Sequence, residues 1–248
     1  MKNGRENIPP LLSDRLRMLA GMVTPGNRLA DVGCDHGFLD IYLVKKGICP
    51  EALAMDVRQG PLAGAEAHIR EYGLGDYIKV RLSDGLEKCA AGEADTLVCA
   101  GMGGRLMERI LREGADRARE MKELILQPQS EIPEFRIFLR NAGFRIIDED
   151  AVFEEGKYYF AMKAVYGGDP SGESEHDKGP ERSRLYDLFG EHLLLHRHPV
   201  LLKYLEQRSA YIRKLEQSMA AAGTEKANRR LEEIRREQKE IEQALLFF

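Results

Sequence analysis

Residues 29–44, LADVGCDHGFLDIYLV, decide the fold that this chain is expected to adopt. A short apolar run that carries Asp31 leads into a glycine-rich corner, and a helix-like segment begins at Phe38. This is the order of a strand, a tight turn and a helix N-terminus. Glycines in such a turn permit backbone angles closed to other residues and let a ligand approach the main chain closely. The stretch therefore predicts a ligand-binding corner at the edge of an α/β sheet.

The charge of this corner indicates which ligand it suits. Dinucleotide-binding proteins have a similar turn, but the pattern here is D-x-G-x-D-x-G, with Asp35 where a phosphate-binding loop would carry glycine. A carboxylate there would repel a pyrophosphate held at a helix N-terminus. It would suit a cationic ligand, and S-adenosylmethionine carries a sulfonium and an ammonium group. We expect a methyl-donor site, and a nicotinamide oxidoreductase is disfavoured.

Composition limits the class of protein. The chain has 248 residues and a formal net charge of −4, enough length for one full-sized domain and a smaller one. No apolar run approaches the ~18 residues of a membrane span, and the N-terminus has no hydrophobic signal core. The four cysteines are scattered without a C-x-x-C pair, which favours neither zinc nor disulfides. We expect a cytoplasmic protein with no membrane partner and no metal.

Strand and helix signals alternate over the first two-thirds of the chain. Such alternation predicts a mostly parallel sheet with helices on both faces. Residues 145–166 contain two strand-like runs around a Glu-Glu-Gly turn, which predict an antiparallel edge strand. The strand-like runs before them are 28–33, 51–57, 78–85, 95–104 and 123–129.

The pattern changes after residue 166. Residues 167–180 are rich in Gly, Pro, Ser and charge, which is typical of a linker or exposed loop. Beyond them, apolar residues recur at coiled-coil-like steps, with a break at 221–224 where we expect the chain to reverse. We expect one domain over residues 1–166 and an antiparallel helical coiled-coil hairpin over residues 181–248. This hairpin has 13 Lys/Arg against 11 Asp/Glu, which permits polyanion binding but equally fits a solvated helical face.

Candidate site residues follow the predicted strands, because parallel sheets bind ligands beyond the carboxyl ends of their strands. Asp56 follows the second strand, where a carboxylate can accept from both ribose hydroxyls. Asp84 follows the third, where an acid can accept from an adenine amino group. Taken singly, Asp56 also fits a helix cap and Asp84 a turn. Their occurrence at consecutive strand ends, followed by small-residue loops after the fourth and fifth strands, favours a binding site.

The motifs in this order resemble the bacterial tRNA (adenine-N1)-methyltransferase family that modifies adenine 22, the TrmK family. The resemblance is carried by LSDRL, DVGCDHGFLDIYL, AMDV with the following GPLAGA, LSDGL, AGMGG, LILQP and EEGKYYFAM, over roughly residues 11–165. The helical tail is similar to that family's C-terminal coiled-coil domain. The resemblance implies a class I, Rossmann-like methyltransferase fold, S-adenosylmethionine as cofactor with S-adenosylhomocysteine as product, and tRNA as partner. We expect a monomer.

The resemblance and the strand-end positions together suggest a role for each candidate residue. The expected cofactor-binding residues are Asp31, Gly33, Asp35, His36, Gly37, Asp56, Val57, Ser83, Asp84, Gly85, Ala100, Gly101 and Met102. The expected catalytic residues around the target base are His36, Met102, Gly103, Gln127 and Gln129. The expected substrate-binding residues are Arg15 and Gly104 at the entrance and Arg229, Arg230, Arg235 and Arg236 in the tail. Gln129 departs from the asparagine expected in relatives, since it keeps the amide but adds a methylene.

The expected reaction depends on alignment more than on proton removal. Adenine N1 has an in-plane lone pair and is neutral near pH 7, so no strong base is needed. Positioning of this kind contributes ~7–11 kcal/mol in favourable cases, and exposing a paired base costs a few kcal/mol. The sequence leaves two alternatives open. A methyltransferase of another RNA or of a small molecule would keep every donor residue, and a non-catalytic RNA-binding module would have a vestigial pocket.

Overall fold

The computed structural model describes residues 10–167, 180–220 and 225–248. The chain divides into two compact units, Met1–Ser174 and Glu175–Phe248. Apart from its two end residues, the expected linker at 167–180 lies outside the described residues, and so does the expected chain reversal at 221–224.

The first unit is built on a seven-stranded sheet in the order β3-β2-β1-β4-β5-β7-β6. Strands β1 to β5 pair in parallel, and β7 pairs antiparallel with both β5 and β6. The predicted mostly parallel sheet with an antiparallel edge is confirmed, with β7 lying one strand inside that edge. The strands are β1 (Leu29–Val32), β2 (Ala52–Asp56), β3 (Ile78–Leu82), β4 (Thr96–Met102), β5 (Glu123–Pro128), β6 (Phe144–Glu154) and β7 (Lys157–Tyr166).

Helices cover both faces of this sheet, which explains why its central strands are mostly apolar. Every residue of β1, β2 and β5 is buried, as parallel strands covered on two faces require. One apolar core lies under α1 to α3 and the other under α4 to α6. The helices are α1 (Asp14–Met22), α2 (Phe38–Lys45), α3 (Gln59–Glu71), α4 (Gly104–Glu113), α5 (Ala115–Glu120) and α6 (Ile132–Asn141).

The short helix α5 is an element that the sequence pattern did not predict. Its sequence, ADRARE, offers no apolar stripe, and Ala118 is its buried residue.

The second unit is helical among its described residues. It contains α7 (Pro180–Phe189), α8 (Glu191–Leu195), α9 (Pro199–Ala220) and α10 (Glu225–Leu245). Helices α9 and α10 run antiparallel, since Arg208 pairs with Glu237 at 2.6 Å while the later Glu216 pairs with the earlier Arg235 at 2.8 Å. Their seam is apolar and includes the buried residues Leu201, Leu205, Ile212, Leu231, Ile234 and Ile241. Helices α7 and α8 add to the predicted pair.

The four cysteines are buried and unbonded. Burial raises the pKa of all four thiols, that of Cys49 and that of Cys99 to about 12. Within the described ranges, no group of His, Cys, Asp and Glu side chains has an arrangement suited to a metal ion. Nor does any described helix combine the length and apolar character needed to cross a membrane.

Candidate active site

A cavity of about 550 Å³ lies at the carboxyl ends of β1 to β4. Its position follows from the topology, because the carboxyl ends of parallel strands meet at one edge of a sheet. The predicted residues that line it are Arg15, Asp31, Gly33, Asp35, His36, Asp56, Val57, Ser83, Asp84, Gly85, Ala100, Gly101, Met102 and Gln129.

The glycine-rich turn after β1 forms one wall of the cavity. Gly33 has a φ of +82°, and a Cβ added there would overlap the Cε methyl of Met102. Asp35 has a φ of +52°, in the left-handed region that residues other than glycine seldom adopt. Gly37 lies at the start of α2 and does not line the cavity. Its missing side chain instead allows α2 to approach α3, since a Cβ there would lie 3.2 Å from Cβ of Ala65.

Four carboxylates face the cavity in different states. Asp56 is buried, and its Oδ1 accepts from the backbone N–H of Arg58 at 2.8 Å, which leaves Oδ2 available to a ligand. Burial raises the pKa of Asp31 to about 7. Hydrogen bonding to Arg109 lowers the pKa of Asp84. Asp35 is exposed at the rim. The wall is therefore rich in hydrogen-bond acceptors, as a ligand with hydroxyl, amino and ammonium groups requires.

Arg15, Met102 and Gln129 lie together at the end of the cavity next to β4 and β5. Gly101 lies beside Arg15 and Gln129 with a φ of +78°, a backbone conformation that favours glycine. A Cβ there would lie 3.5 Å from Nη1 of Arg15 and 3.8 Å from Nε2 of Gln129. Strand β4 shifts register between Ala100 and Met102, which turns the AGM segment toward the cavity.

Three other predicted residues are not brought to the cavity wall. Gln127 is fully buried on β5, where its Oε1 accepts from Nη1 of Arg15 at 3.3 Å and its Nε2 donates to the backbone oxygen of Pro128. Gly103 occupies the N-cap position of α4. Gly104 is buried against the β5–α6 loop, and a Cβ there would lie 2.6 Å from the backbone oxygen of Ser130. These contacts assign the two glycines to packing and Gln127 to support of Arg15.

His36 lies at the rim of the cavity with 55% of its side chain exposed. Its Nε2 is 3.8 Å from Oδ1 of Asp35, and its ring centroid is 5.8 Å from that of His68. His68 in turn stacks on Phe38 at 4.5 Å between ring centroids.

Several cavity residues are not among those predicted from the sequence, and two of them, Arg58 and Arg109, are charged. Arg58 stands two positions after Asp56, and a strand-end rule extended by two residues would have found it. Arg109 lies inside α4, where no local signal marks it. The others are Leu16, Val32, Cys34, Phe38, Leu39, Leu106 and Ile110.

The candidate arginines of the tail differ in their contacts. Arg230 pairs with Glu233 at 2.6 Å and Arg235 with Glu216 at 2.8 Å. Arg236 is exposed, and no ion pair joins it to a described residue. The side chain of Arg229 lies outside the described part of the chain.

Comparison with known proteins gives consistent matches. Residues 12–162 match the family model of a methyltransferase domain. The chain is 33% identical over 232 residues to the tRNA (adenine(22)-N(1))-methyltransferase of Bacillus subtilis, covering 90% of this chain and 92% of that one.

Solved structures resemble both units of the chain. A Streptococcus pneumoniae protein proposed to be a tRNA (m1A22) methyltransferase has a TM-score of 0.82 and 31% identity, covering 95% of this chain and 100% of that one. The same protein in complex with S-adenosyl-L-methionine has a TM-score of 0.79 and 30% identity, with the same coverage. The B. subtilis m1A22 tRNA methyltransferase TrmK has a TM-score of 0.78 and 31% identity, covering 95% and 99%.

Proposed function

This chain belongs to the family of the tRNA (adenine(22)-N(1))-methyltransferases, and we propose that it transfers a methyl group from S-adenosylmethionine to N1 of adenine 22 in the D-arm of tRNA. Its fold is the class I, Rossmann-like methyltransferase fold. The observation that best supports the proposal is that Asp31, Asp56 and Asp84, from three consecutive strand ends, face one cavity with Met102 and Gln129.

The cavity has the chemistry that S-adenosylmethionine needs. Its volume of about 550 Å³ is that of a small-molecule site. Oδ2 of Asp56 is available to the ribose hydroxyls, and Asp84 to the adenine amino group. The carboxylates of Asp31 and Asp35 suit the cationic part of the ligand. When bound, the cofactor supplies an electrophilic methyl group on its sulfonium.

The chain's own residues orient the target base. Gln129 presents an amide that can donate to and accept from a base edge. Gln127, which is fully buried, holds Arg15 beside it. Arg15 also lies 5.7 Å above the ring of Tyr159, so its guanidinium is positioned from two sides. Because N1 already carries its lone pair, these residues need to align the base and exclude competing poses, without taking a proton first.

We propose further that residues 1–166 form the catalytic domain and residues 181–248 a tRNA-contacting domain. The protein would act as a monomer in the cytoplasm, where tRNA is modified, and without a metal. The exposed Arg236 supports a phosphate contact by the tail, whereas the ion-paired Arg230 and Arg235 support it less.

The test is methylation in vitro of an unmodified tRNA transcript, followed by mass-spectrometric mapping of the product. We expect one methyl group at N1 of adenine 22 and none on a matched transcript with guanine at that position. Donor binding with no methylation of tRNA would favour another substrate. tRNA binding without donor binding would favour a non-catalytic module.

A further inference from the structure

Besides the four carboxylates that face the cavity, the same unit contains a buried carboxyl that the proposed chemistry does not use. Asp40 stands in the first turn of α2, between the buried residues Leu39 and Ile41. Its exposure is 0%, and no amide, guanidinium, ammonium or hydroxyl group of another described residue donates to either of its oxygens. A buried charge without a donor is strongly unfavourable, so this carboxyl must hold a proton.

The neighbouring group that can accept a hydrogen bond from the protonated carboxyl of Asp40 is the carboxylate of Asp31. Alternation along β1 places Asp31 on the same sheet face as Leu29, which packs in the core under α1 to α3. Asp31 is 5% exposed and lines the cavity. Two adjacent buried carboxyls cannot both ionise, and a shared proton converts their repulsion into a hydrogen bond. Burial and the charge of Asp31 raise the pKa of Asp40 well above its ordinary value.

The groups around the pair determine when it takes a second proton. From α1, Arg15 favours the charged form of Asp31, whereas Asp56 at the end of β2 and Asp35 in the turn oppose it. Burial outweighs all of these and raises the pKa of Asp31 to about 7. Three thiols also lie around the pair, those of Cys34, Cys49 and Cys99. They stay neutral because burial raises their pKa values.

We propose that Asp40 is a positioning residue that shares a proton with Asp31, so that binding of the donor's ammonium group beside Asp31 expels the second proton of the pair. This inference rests on the proposed donor site. Below neutral pH the free pair holds two protons and carries no charge. The ammonium favours the singly protonated pair with its one negative charge, and the displaced proton passes to the buffer. Donor affinity should therefore rise with pH and level off above about 7.

Calorimetric titration of the full-length protein with S-adenosylmethionine tests the proposal. At pH 6.5, measurement in two buffers of different ionisation enthalpy counts the protons released. The donor's own α-amino group is still charged at this pH because its pKa is about 7.7–8.0. We expect release of about half a proton or more from the wild type. We also expect its affinity to rise about fivefold to tenfold from pH 6 to pH 7.5.

The Asp40→Asn variant distinguishes the effect of the titrating proton from the effect of the side chain's shape. The amide has the same outline and donates to Asp31 without a titrating proton. This variant should release almost no proton, and its donor affinity should stay nearly constant from pH 6 to pH 7.5. Asp116→Asn, the same change on the exposed surface of α5, should release as many protons as the wild type. 5′-Methylthioadenosine, which lacks the amino-acid part of the donor, should release none.

The outcomes separate this inference from the function on which it rests. Donor binding to the wild type without proton release would overturn the inference alone, as would an equal proton count in Asp40→Asn. If Asp40→Asn fails to fold, the pH profile of wild-type affinity decides, and a flat profile overturns the inference. Absence of donor binding at any pH would overturn the proposed function and this inference with it.

Discussion

Arg109 binds Asp84 through both carboxylate oxygens, with Nη2 at 2.9 Å from Oδ1 and Nη1 at 3.2 Å from Oδ2. Glu113, one turn later on α4, holds the same guanidinium at 2.7 Å. Because a carboxylate offers about four acceptor positions, Asp84 can keep this partner and still accept from an adenine amino group. Arg109 thereby fixes the orientation of the proposed adenine acceptor.

The Asp84–Arg109 pair should behave as one unit in donor binding. We expect Asp84→Ala to weaken S-adenosylmethionine binding about threefold to tenfold, a modest loss because both side chains are partly exposed. Arg109→Met, which keeps the aliphatic length, should cause a smaller loss. The double variant should bind no more weakly than Asp84→Ala, and calorimetry measures all three. Strictly additive losses would mean that Arg109 acts independently of Asp84.

Asp56 should be the strongest single determinant of donor affinity. Its buried carboxylate can accept from both ribose hydroxyls, and Asp56→Ala should cost ~2–4 kcal/mol of donor binding. Asp116→Ala, the same change at an exposed residue of α5, serves as the matched control and should bind like the wild type. Unchanged affinity of Asp56→Ala in the calorimeter would remove this residue from the site.

Gly104 and Gly103 should respond differently to a methyl group. A Cβ at Gly104 meets a backbone oxygen at 2.6 Å, which cannot move cheaply, so Gly104→Ala should destabilise the fold by ~1–3 kcal/mol. At Gly103 the nearest atom is the side-chain Oγ of Ser130 at 3.0 Å, which can rotate, so Gly103→Ala should be milder. Thermal unfolding compares the two. Equal melting temperatures would contradict the packing role assigned to Gly104.

Arg236 provides the cleanest test of a tRNA contact by the tail. Arg236→Glu breaks no ion pair with a described residue, whereas Arg235→Glu would set two acidic side chains against each other at Glu216. If Arg236 touches a phosphate, its reversal should weaken tRNA binding at low salt and reduce the salt slope by about 0.7–0.9. Donor affinity of the same variant is the control. Equal tRNA affinity at all salt concentrations would assign this face of α10 to solvent.

Most of the site residues that the sequence predicted have positions that the sheet topology determines, whereas Arg15, on α1, was predicted from the family resemblance. Asp31 and Asp56 lie at the carboxyl ends of β1 and β2, and Asp84 follows β3. Parallel strands bring their carboxyl ends to one edge of the sheet whatever the details of packing. The same rule could not find Arg109 or Asp40. Both stand within helices, where the direction of a side chain depends on how the helix sits on the sheet.

The glycines of AGMGG show what a sequence motif cannot reveal. As a motif they favour a ligand-binding loop, and Gly101 does line the cavity. Gly103 and Gly104, however, pack against Ser130 and Glu131 in the loop that follows β5, and a side chain at either glycine would meet atoms of that loop. A sequence pattern records that a side chain is excluded, but it does not say which neighbour excludes it.

Because its four cysteines are buried, this protein is well suited to site-specific labelling at an introduced cysteine. Maleimides react with the thiolate, and a thiol whose pKa is near 12 is almost wholly protonated at neutral pH. A cysteine introduced at an exposed position, as in Asp116→Cys, would then react far faster than the native four. A fluorophore or spin label can thus be attached to the folded enzyme without first replacing any residue of its core.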